Sequence, residues 1–292
     1  MRKLIVTGSG GQLGRAVKRQ LDGRYDLIRT DVAADDEIRR LDITDIDAVT
    51  SFAKEEKPYA IINCAAYTAV DAQETDVDNS YRINAIGARN LAIAAEETGA
   101  KLVHISTDYV FAGDKQTPYT EFDAPGPISI YGKTKLAGEN FVKEFSRAHF
   151  ILRTAWLYGE GKNFVRTMLR LAESHDQLGI VDDQIGNPTS AQELARAIDY
   201  LLGTDNYGLF HATCEGVCSW ADFAEEIFRL AGRKVEIERL SSEEYAARNP
   251  AAAPRPHFSH LEKMMFRLTG GFAMCDWHDA IVRYLESGVT AG

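Results

Sequence analysis

Residues 2–14 read RKLIVTGSGGQLG, a short apolar run followed by three glycines at G-x-x-G-x-x-G spacing, Gly8, Gly11 and Gly14. Glycine suits these positions because the turn is tight, a pyrophosphate must approach the backbone, and the next helix must pack closely. A helical pattern continues to about Leu21, and a helix N-terminus offers free N–H groups to phosphates. The stretch therefore predicts a strand, a glycine-rich turn and a helix that together bind a dinucleotide.

The next strand pattern, residues 25–30, ends at the carboxylate of Asp31. An acid at this place commonly accepts hydrogen bonds from the adenosine ribose and disfavours a 2′-phosphate, so Asp31 alone favours NADH over NADPH. Arg29 lies two residues earlier, close enough for its charge to offset this preference. Asp42 and Ile43 are predicted beside the adenine, although Asp42 is equally well placed to be the N-cap of a helix over residues 45–57.

Further along the chain, apolar strand patterns alternate with helical ones. Strands are predicted at residues 59–63, 101–106 and 149–154, and a long helix at 76–98 carries Asn84, an ordinary polar residue or a water relay. The first of these strands leads into Cys64-Ala65-Ala66-Tyr67-Thr68, whose small residues let a cofactor ribose lie against the backbone. Six strand–helix alternations predict an α/β fold with a Rossmann-type, doubly wound parallel sheet.

After Thr154 the alternation of strands and helices becomes less regular. It predicts helices near residues 163–173, 191–202, 219–230, 259–268 and 276–285, and strands at 178–181, 208–211 and 234–237. We assign residues 1–154 and 180–213 to a dinucleotide-binding Rossmann domain. Residues 155–179 and 214–292 are assigned to a smaller C-terminal lobe that covers the substrate.

The composition narrows the function classes. The 292 residues are 45% apolar, enough for a large core, and carry a formal net charge of −10 with acids and bases interspersed. This charge argues against nucleic acid as the main partner, and no apolar run approaches the ~20 residues that span a bilayer. The four cysteines are scattered without zinc-site spacing, which indicates buried free thiols. With no signal-peptide pattern, we expect a cytoplasmic protein in a reducing compartment.

The second decisive stretch is YGKTK, residues 131–135. At the start of a helix, Tyr131 and Lys135 are four residues apart and share one face. An ammonium beside a phenol favours the phenolate and lowers the tyrosine pKa from about 10 toward working pH. Thr107 follows a predicted strand, so its hydroxyl is expected at the carboxyl edge of the sheet. These three side chains suit proton transfer beside a substrate oxygen.

With these motifs the chain resembles the extended short-chain dehydrogenase/reductases, and within them the dTDP-4-dehydrorhamnose reductases, nearly end to end. The most specific matches are STDYVF at residues 106–111 and YGKTKLAGE at residues 131–139. Further matches are TGSGGQLG (7–14), NCAAYTAVD (63–71), RTAWLY (153–158), NF (163–164), DQIGNPT (183–189) and RP (255–256).

The resemblance implies Thr107, Tyr131 and Lys135 as the catalytic residues. It places Thr107, Asp108 and Trp156 on the sugar of the substrate, with Val70 and Tyr109 nearby, although Trp156 has the alternative of a core tryptophan. Besides Tyr131 and Lys135, the residues expected around the cofactor are Gly8, Gly11, Gln12, Leu13, Gly14, Asp31, Asp42, Ile43, Ala65, Ala66, Tyr67, Thr68 and Ile105.

Members of this family often prefer NADPH yet accept NADH, and they too carry an acid where Asp31 stands. The implied cofactor is therefore NADPH or NADH. Some members dimerise through a Mg²⁺ bridged by glutamates, one of them just after the glycine motif, where this chain has Arg15 and Ala16. We accordingly predict no metal, and we leave a homodimer open.

The implied reaction is NAD(P)H-dependent reduction of the C4 ketone of dTDP-4-dehydro-L-rhamnose to dTDP-L-rhamnose, in dTDP-rhamnose biosynthesis. Tyr131 would give a proton to the C4 oxygen, Lys135 would hold the nicotinamide ribose, and Thr107 would hydrogen-bond the oxygen. One alternative is a sibling nucleotide-sugar epimerase or dehydratase that retains NAD⁺, although dehydratases tend to follow the threonine with Asp-Glu, where this chain has Asp108-Tyr109. Another is a binding role like that of the regulatory subunit of methionine adenosyltransferase, which the complete trio disfavours.

Overall fold

A computed structural model describes residues 1–288, which are built around one seven-stranded parallel sheet. In chain order the strands are β1 (Lys3–Thr7), β2 (Asp26–Asp31), β3 (Arg39–Arg40), β4 (Ala60–Asn63), β5 (Lys101–Thr107), β6 (His149–Thr154), β7 (Leu157–Tyr158), β8 (Gln177–Val181), β9 (Ile185–Gly186), β10 (Thr189–Ser190), β11 (Gly208–His211), β12 (Cys218–Ser219) and β13 (Glu236–Leu240). The large sheet has the order β11-β6-β5-β4-β1-β2-β3, with parallel pairing throughout. The predicted doubly wound sheet is confirmed, and its order reverses between β1 and β4.

Helices cover both faces of this sheet. They are α1 (Gln12–Leu21), α2 (Ile46–Glu56), α3 (Val70–Gln73), α4 (Val77–Tyr81), α5 (Gly87–Thr98), α6 (Ile130–Phe145), α7 (Phe164–Leu171), α8 (Ala191–Leu202), α9 (Trp220–Leu230), α10 (Ser242–Arg248), α11 (Met264–Thr269) and α12 (Trp277–Glu286). In β1, Leu4 and Val6 pack with α1 and α8 on one face, while Ile5 packs with α2 and α5 on the other. A strand buried on both faces reads as a continuous apolar run, which explains the sequence of β1.

The long helix predicted at residues 76–98 is interrupted between α4 and α5 by a π-helical turn, Arg82–Ile86. Asn84 in this turn points inward: its Oδ1 accepts a hydrogen bond from the Tyr67 amide (2.9 Å) and its Nδ2 donates to Thr134 Oγ1 (3.1 Å). Asn84 is therefore a buried link between a loop and α6, not an ordinary polar helix residue. Single π turns are frequent at functional sites, and helical periodicity in a sequence does not reveal them.

The N-cap of α2 is Asp45, whose side chain accepts a hydrogen bond from the Ala48 amide (3.0 Å). Asp42 closes the turn before it, since its Oδ1 accepts from both the amide (2.9 Å) and the hydroxyl (2.8 Å) of Thr44. The alternative of Asp42 as the helix cap is therefore wrong. Two aspartates three residues apart precede the same apolar pattern, and the sequence does not separate them.

The second half of the chain adds three two-stranded sheets and a further apolar core. Helix α8 and strand β11 have the predicted bounds, whereas β13 begins two residues later than predicted. The helix predicted at residues 259–268 begins only at Met264, because the Leu261 amide is bound to Asn187 Oδ1 (2.9 Å). Helix α10 was missed, although its capping box at Ser241 and Glu244 is a readable signal.

Within residues 1–288, every helix is too short or too polar to cross a membrane. The same part of the chain holds no group of three or more His, Cys, Asp or Glu side chains arranged to bind a metal ion. The four cysteines are free thiols, of which Cys214 and Cys218 are buried and Cys64 and Cys275 half-buried.

Gly138 lets α6 touch the π turn, since a Cβ there would lie 2.4 Å from the Asn84 carbonyl oxygen. We expect Gly138→Ala to lower the free energy of unfolding by about 1–3 kcal/mol, the usual cost of overpacking, as measured by urea denaturation. Gly126→Ala is the matched control, because its Cβ would meet the Ala112 Cβ at 3.8 Å. Equal free energies of unfolding for the two variants would show that the close contact at Gly138 is not needed for stability.

Candidate active site

A cleft of about 460 Å³ opens at the carboxyl ends of β1, β4, β5 and β6. Open parallel sheets bind ligands at this edge, beside the point where the strand order reverses. The cleft contains Thr107, Tyr131 and Lys135 together with every residue predicted on the sugar. Its lining residues are Gly11, Gln12, Leu13, Cys64, Ala65, Ala66, Thr68, Val70, Ile105, Ser106, Thr107, Asp108, Tyr109, Tyr131, Lys135, Thr154, Ala155, Trp156, Leu157 and Trp220.

A second pocket, of about 410 Å³, continues the cleft across the glycine-rich turn. The two share Gly11, Cys64, Ala65 and Ala66 and so form one groove. The other residues of the second pocket are Gly8, Asp31, Val32, Leu41, Asp42, Ile43, Thr44, Arg82 and Ile83. Of the residues predicted around the cofactor, all but Gly14 and Tyr67 line this groove.

The glycine-rich turn has no room for side chains. Gly8 has a φ of +61°, and a Cβ on it would lie 2.5 Å from the Ala65 nitrogen. A Cβ on Gly14 would lie 2.4 Å from the Ser9 Cα, so Gly14 packs α1 against the turn. Gly11 is the N-cap of α1 and no side chain caps this helix, which leaves its first amides free for an anion. The turn therefore fits the pyrophosphate that the sequence predicts.

Asp31 faces this groove from the end of β2. Its Oδ2 accepts a hydrogen bond from the Gly10 amide (3.1 Å) and its Oδ1 accepts one from the Ala33 amide (3.3 Å). Arg29, which was expected to offset the charge of Asp31, pairs instead with Glu37 (2.6 Å). Glu37 also pairs with Lys18 (3.0 Å), so these three side chains keep a net positive charge, and an offset of Asp31 by Arg29 stays a prediction.

Tyr67 is tied to the π turn through its backbone. Its amide donates to Asn84 Oδ1 and its carbonyl accepts from Asn84 Nδ2 (3.1 Å). A direct contact between Tyr67 and a cofactor stays a prediction, as does the role of each residue that lines the groove.

Helix α6 delivers two of the three catalytic candidates. Tyr131 lies in its first turn and Lys135 one turn later, while Thr107 is the last residue of β5. Ser129 caps the helix by accepting a hydrogen bond from the Gly132 amide (3.2 Å). A Cβ on Gly132 would lie 2.1 Å from the Tyr109 carbonyl oxygen, so the first turn of α6 is pressed against the residues after β5.

Burial is the main cause of the pKa shifts of Tyr131 and Lys135. It raises the pKa of Tyr131 to about 12, although a hydrogen bond with Thr107 acts to lower it. Burial also lowers the pKa of Lys135 to about 8, opposed by the nearby Glu139 carboxylate. The expectation that Lys135 lowers the tyrosine pKa is therefore wrong for this structure, in which the ammonium donates to the Ile105 carbonyl. Tyr131 is a protonated phenol at neutral pH, the form that can give a proton.

A buried ion pair that the motifs do not reveal supports α6. Arg153 donates to Glu139 through Nε (2.8 Å to Oε1) and Nη2 (2.7 Å to Oε2), and the Ser106 hydroxyl donates to Oε1 (2.6 Å). Burial acts to raise the pKa of Glu139, but the hydrogen bonds and charge of Arg153 outweigh it and keep the pKa below its usual value. The position of Glu139, one turn beyond Lys135 on the same face, is the sequence signal that could have found it.

Asp108 orients the Thr107 hydroxyl through a hydrogen bond. Thr107 Oγ1 donates to Asp108 Oδ1 (2.9 Å) and accepts from the Tyr109 amide (3.2 Å). Burial raises the pKa of Asp108 to about 6, while hydrogen bonds from Ser259 and Thr107 act to lower it. The Tyr109 ring packs edge-on against Tyr131 with centroids 5.4 Å apart, so both rings border the Thr107 hydroxyl.

Trp156 lines the cleft in a strained backbone conformation, with a φ of +47°. Its ring stacks on Trp220 of α9, with centroids 3.6 Å apart and planes 9° apart. A Cβ on Gly186 would lie 2.7 Å from the same ring. Trp156 therefore packs on the C-terminal core and faces the cleft at once, and Trp220 is a cleft residue that the sequence reasoning missed.

Trp220 also borders a third pocket, of about 410 Å³, and is, of the residues described, the one that this pocket shares with the cleft. Its other lining residues are Phe164, Thr167, Met168, Leu171, Gly179, Ile180, Val181, Gln184, Tyr245 and Arg255. The Arg255 guanidinium in this pocket donates to Asp71 Oδ1 (2.8 Å). A separate cavity, of about 530 Å³ beside α7, contains none of the predicted site residues.

The arrangement joins a groove suited to a dinucleotide with a cleft that holds a phenol, an ammonium and a hydroxyl. A nicotinamide at the junction would supply a hydride to a carbon in the cleft. The phenol can give a proton to the oxygen on that carbon, and the hydroxyl can stabilise charge there. The geometry therefore supports reduction of a carbonyl group.

Comparisons with known proteins point to one family. The chain matches the family model described as RmlD substrate binding domain over residues 1–289. A protein named dTDP-4-dehydrorhamnose reductase from Aggregatibacter actinomycetemcomitans is 40% identical over 292 residues, which cover 96% of this chain and 97% of that protein.

Two crystal structures are similar over nearly the whole chain. That of a dTDP-4-dehydrorhamnose reductase from Clostridium acetobutylicum has a TM-score of 0.93 and 49% identity, and covers 98% of this chain and 99% of its own. That of a dTDP-4-dehydrorhamnose reductase from Bacillus anthracis in complex with NADP has a TM-score of 0.92 and 44% identity, with the same coverage of both chains.

Removal of Arg153 leaves the buried Glu139 carboxylate with only the more distant Lys143 ammonium (3.5 Å) as a paired counter-charge. We expect Arg153→Met to lower the free energy of unfolding by about 3–5 kcal/mol at neutral pH, as measured by urea denaturation. The matched control is Arg147→Met, which breaks an ion pair with Glu96 on the surface and should cost far less. Similar losses in the two variants would mean that burial adds nothing to the Glu139–Arg153 pair.

Proposed function

Because the chain belongs to the RmlD substrate binding domain family, with relatives named dTDP-4-dehydrorhamnose reductase, we propose that it reduces the C4 ketone of dTDP-4-dehydro-L-rhamnose to dTDP-L-rhamnose. It is an NAD(P)H-dependent oxidoreductase of dTDP-rhamnose biosynthesis. The observation that carries the chemistry is that Thr107, Tyr131 and Lys135 line one cleft, which continues into the dinucleotide groove.

We assign the groove to NADPH or NADH, which supplies the hydride when bound. The free amides at the start of α1 hold the pyrophosphate, and Asp31 accepts hydrogen bonds from the adenosine ribose. Asp42 and Ile43 lie beside the adenine, and Lys135 holds the nicotinamide ribose. The bare backbone of the glycine-rich turn supports this assignment, because a pyrophosphate needs that close approach.

Tyr131 gives its phenolic proton to the C4 oxygen as negative charge develops there. With a pKa of about 12 it holds this proton at neutral pH, yet it is a stronger acid than the alcohol being formed. The Thr107 hydroxyl, which donates its one proton to Asp108 Oδ1 in the free protein, turns to donate it to the same oxygen, and this contact strengthens as the charge grows. The charged form of Lys135 stabilises the phenolate that is left.

The substrate sugar lies against Val70, Tyr109 and Trp156, with Asp108 behind Thr107. We place the dTDP part in the third pocket, which shares Trp220 with the cleft and offers Arg255 to the diphosphate. On this proposal residues 155–179 and 214–292 form the sugar-nucleotide-binding lobe, and residues 1–154 with 180–213 form the dinucleotide-binding domain.

We also propose a cytoplasmic location, because free thiols suit a reducing compartment. Any homodimer forms without a metal bridge, because Arg15 after the glycine motif pairs with Glu160 (3.2 Å). Light scattering with and without a chelator should therefore give one and the same mass. A fall in mass on chelation would contradict this proposal.

The first test of the mechanism is Tyr131→Phe, which removes the proton donor and keeps the ring. We expect turnover, followed as NADPH oxidation with dTDP-4-dehydro-L-rhamnose, to fall by about 10²–10⁴-fold, the usual contribution of a general acid. NADPH should still bind, because the groove is unchanged. Tyr81→Phe, on the surface, is the control.

Near-normal turnover in Tyr131→Phe would remove the mechanism. Wild-type protein that carries tightly bound NAD⁺ and needs no added NADPH or NADH would favour the sibling epimerase or dehydratase. Co-purification with a catalytic subunit, and no reduction of the sugar, would favour a regulatory subunit.

The second test is the pH profile of kcat/KM, which reports groups of the free enzyme. Lys135 loses its charge above its pKa of about 8, and below its pKa of about 6 Asp108 gains a proton and no longer orients the Thr107 hydroxyl. We expect a bell-shaped profile with limbs near these values. Lys135→Arg should move the alkaline limb to higher pH, and Asp108→Asn should remove the acid limb. Limbs that do not respond to these changes would belong to other groups.

A further inference from the structure

Two arginines lie at the adenosine end of the groove, Arg82 on its lining and Arg40 on the adjacent strand β3. Arg40 in β3 and Arg82 in the π turn are both exposed, and neither forms an ion pair with any residue of 1–288. Their neighbours differ, since Arg29 pairs with Glu37 (2.6 Å) and Arg39 with Glu56 (2.5 Å). The two unpaired charges are therefore available to a ligand.

The register of the sheet puts Arg40 beside Asp31. Strands β2 and β3 pair in parallel with Asp31 opposite Arg40 and Thr30 opposite Arg39. Because side chains alternate between the faces of a sheet, Arg40 shares the face of Asp31 and Arg39 extends to the other. Arg39 lies there over the Phe52 ring of α2, 4.4 Å from its centroid.

Arg82 lies in the same part of the groove as Asp31. It lines the pocket that also contains Asp31 and Asp42. The pKa of Asp42 is lowered mainly by the hydrogen bond from the Thr44 amide. The charges of Arg82 and Arg40 lower it further, so both guanidinium groups lie near this carboxylate. Two positive charges thus flank the end of the groove where the ribose hydroxyls are expected.

We propose that Arg40, together with Arg82, recognises the 2′-phosphate of NADPH, so that one groove takes both NADPH and NADH. This inference deepens the proposed reductase function and rests on it. Asp31 suits free ribose hydroxyls and repels a 2′-phosphate. The adjacent Arg40 offsets that carboxylate, and a second guanidinium offsets the phosphate, which carries a charge of about −1.5 to −2. Arg29 is engaged by Glu37 (2.6 Å), whereas Arg40 and Arg82 form no ion pair within residues 1–288.

Titration calorimetry with NADPH and with NADH tests this proposal without depending on turnover. In Arg40→Gln we expect the Kd for NADPH to rise about tenfold, and in the Arg40→Gln/Arg82→Gln double variant about 100-fold, as for loss of one and two charge-assisted hydrogen bonds. The Kd for NADH should change less than about twofold in both, because its ribose has no phosphate. Arg40→Lys, which keeps the charge, should retain most of the NADPH affinity.

Arg39→Gln is the matched control, since it removes an arginine from the next position on the other face of β3. It should leave both affinities unchanged. Circular dichroism and thermal melting check that every variant is folded.

Equal losses of NADPH and NADH affinity in Arg40→Gln, or unchanged NADPH affinity in the double variant, would overturn the proposal. A loss in Arg39→Gln as large as in Arg40→Gln would overturn it too, because a general charge effect would then explain both. Wild-type protein that binds neither cofactor would instead remove the proposed reductase function.

Discussion

The close approach of α6 to its neighbours is the constraint on which the site depends. At Gly132 the helix meets the backbone after β5, and at Gly138 it meets the π turn, where a Cβ would come within 2.1 Å and 2.4 Å of carbonyl oxygens. Tyr131 lies beside the first contact, and Lys135 lies between the two along the helix. Any larger side chain at either glycine must move α6, and with it both groups that act on the substrate oxygen. Proton transfer tolerates little displacement, so packing and chemistry are set by the same contacts.

This packing has an electrostatic consequence. Lys135 is buried and Tyr131 is half-buried at the cleft, and burial opposes the charged form of each, raising the pKa of Tyr131 and lowering that of Lys135. The lysine keeps its charge near neutral pH partly because the Glu139 carboxylate lies one turn away. That carboxylate is in turn buried, and it remains ionised because Arg153 from β6 meets it with two hydrogen bonds. The ion pair thus fastens the helix to the sheet and sets the charge next to the catalytic ammonium.

Local patterns predicted most of the fold and much of the site. The bounds of α8 and β11 follow from an apolar periodicity that no tertiary contact overrides. The glycine spacing located the groove, and the YGKTK stretch located the cleft. What was missed depends on partners far apart in the chain. The π turn exists around an inward Asn84 that meets Thr134, and Trp220 reaches the cleft by stacking on Trp156. Periodicity reports which face of an element is buried, but it does not name the residue on the other side.

The substrate side of the cleft is held by two contacts between distant parts of the chain. Trp156, directly after the sheet, stacks on Trp220 of α9, and Asp71 of α3 pairs with Arg255 of the C-terminal segment. The backbone of Trp156 is held at positive φ, which costs about 1–3 kcal/mol and persists only where the surroundings compensate. Stacking against Trp220 and the close contact with Gly186 provide that compensation. Arg255 also lines the pocket in which we propose the dTDP group, where a diphosphate would compete with Asp71 for the same guanidinium. Substrate binding would then weaken the Asp71–Arg255 pair and fill the space beside the Trp156–Trp220 stack. Occupancy of the cleft would therefore be coupled to the contacts that hold its substrate side together.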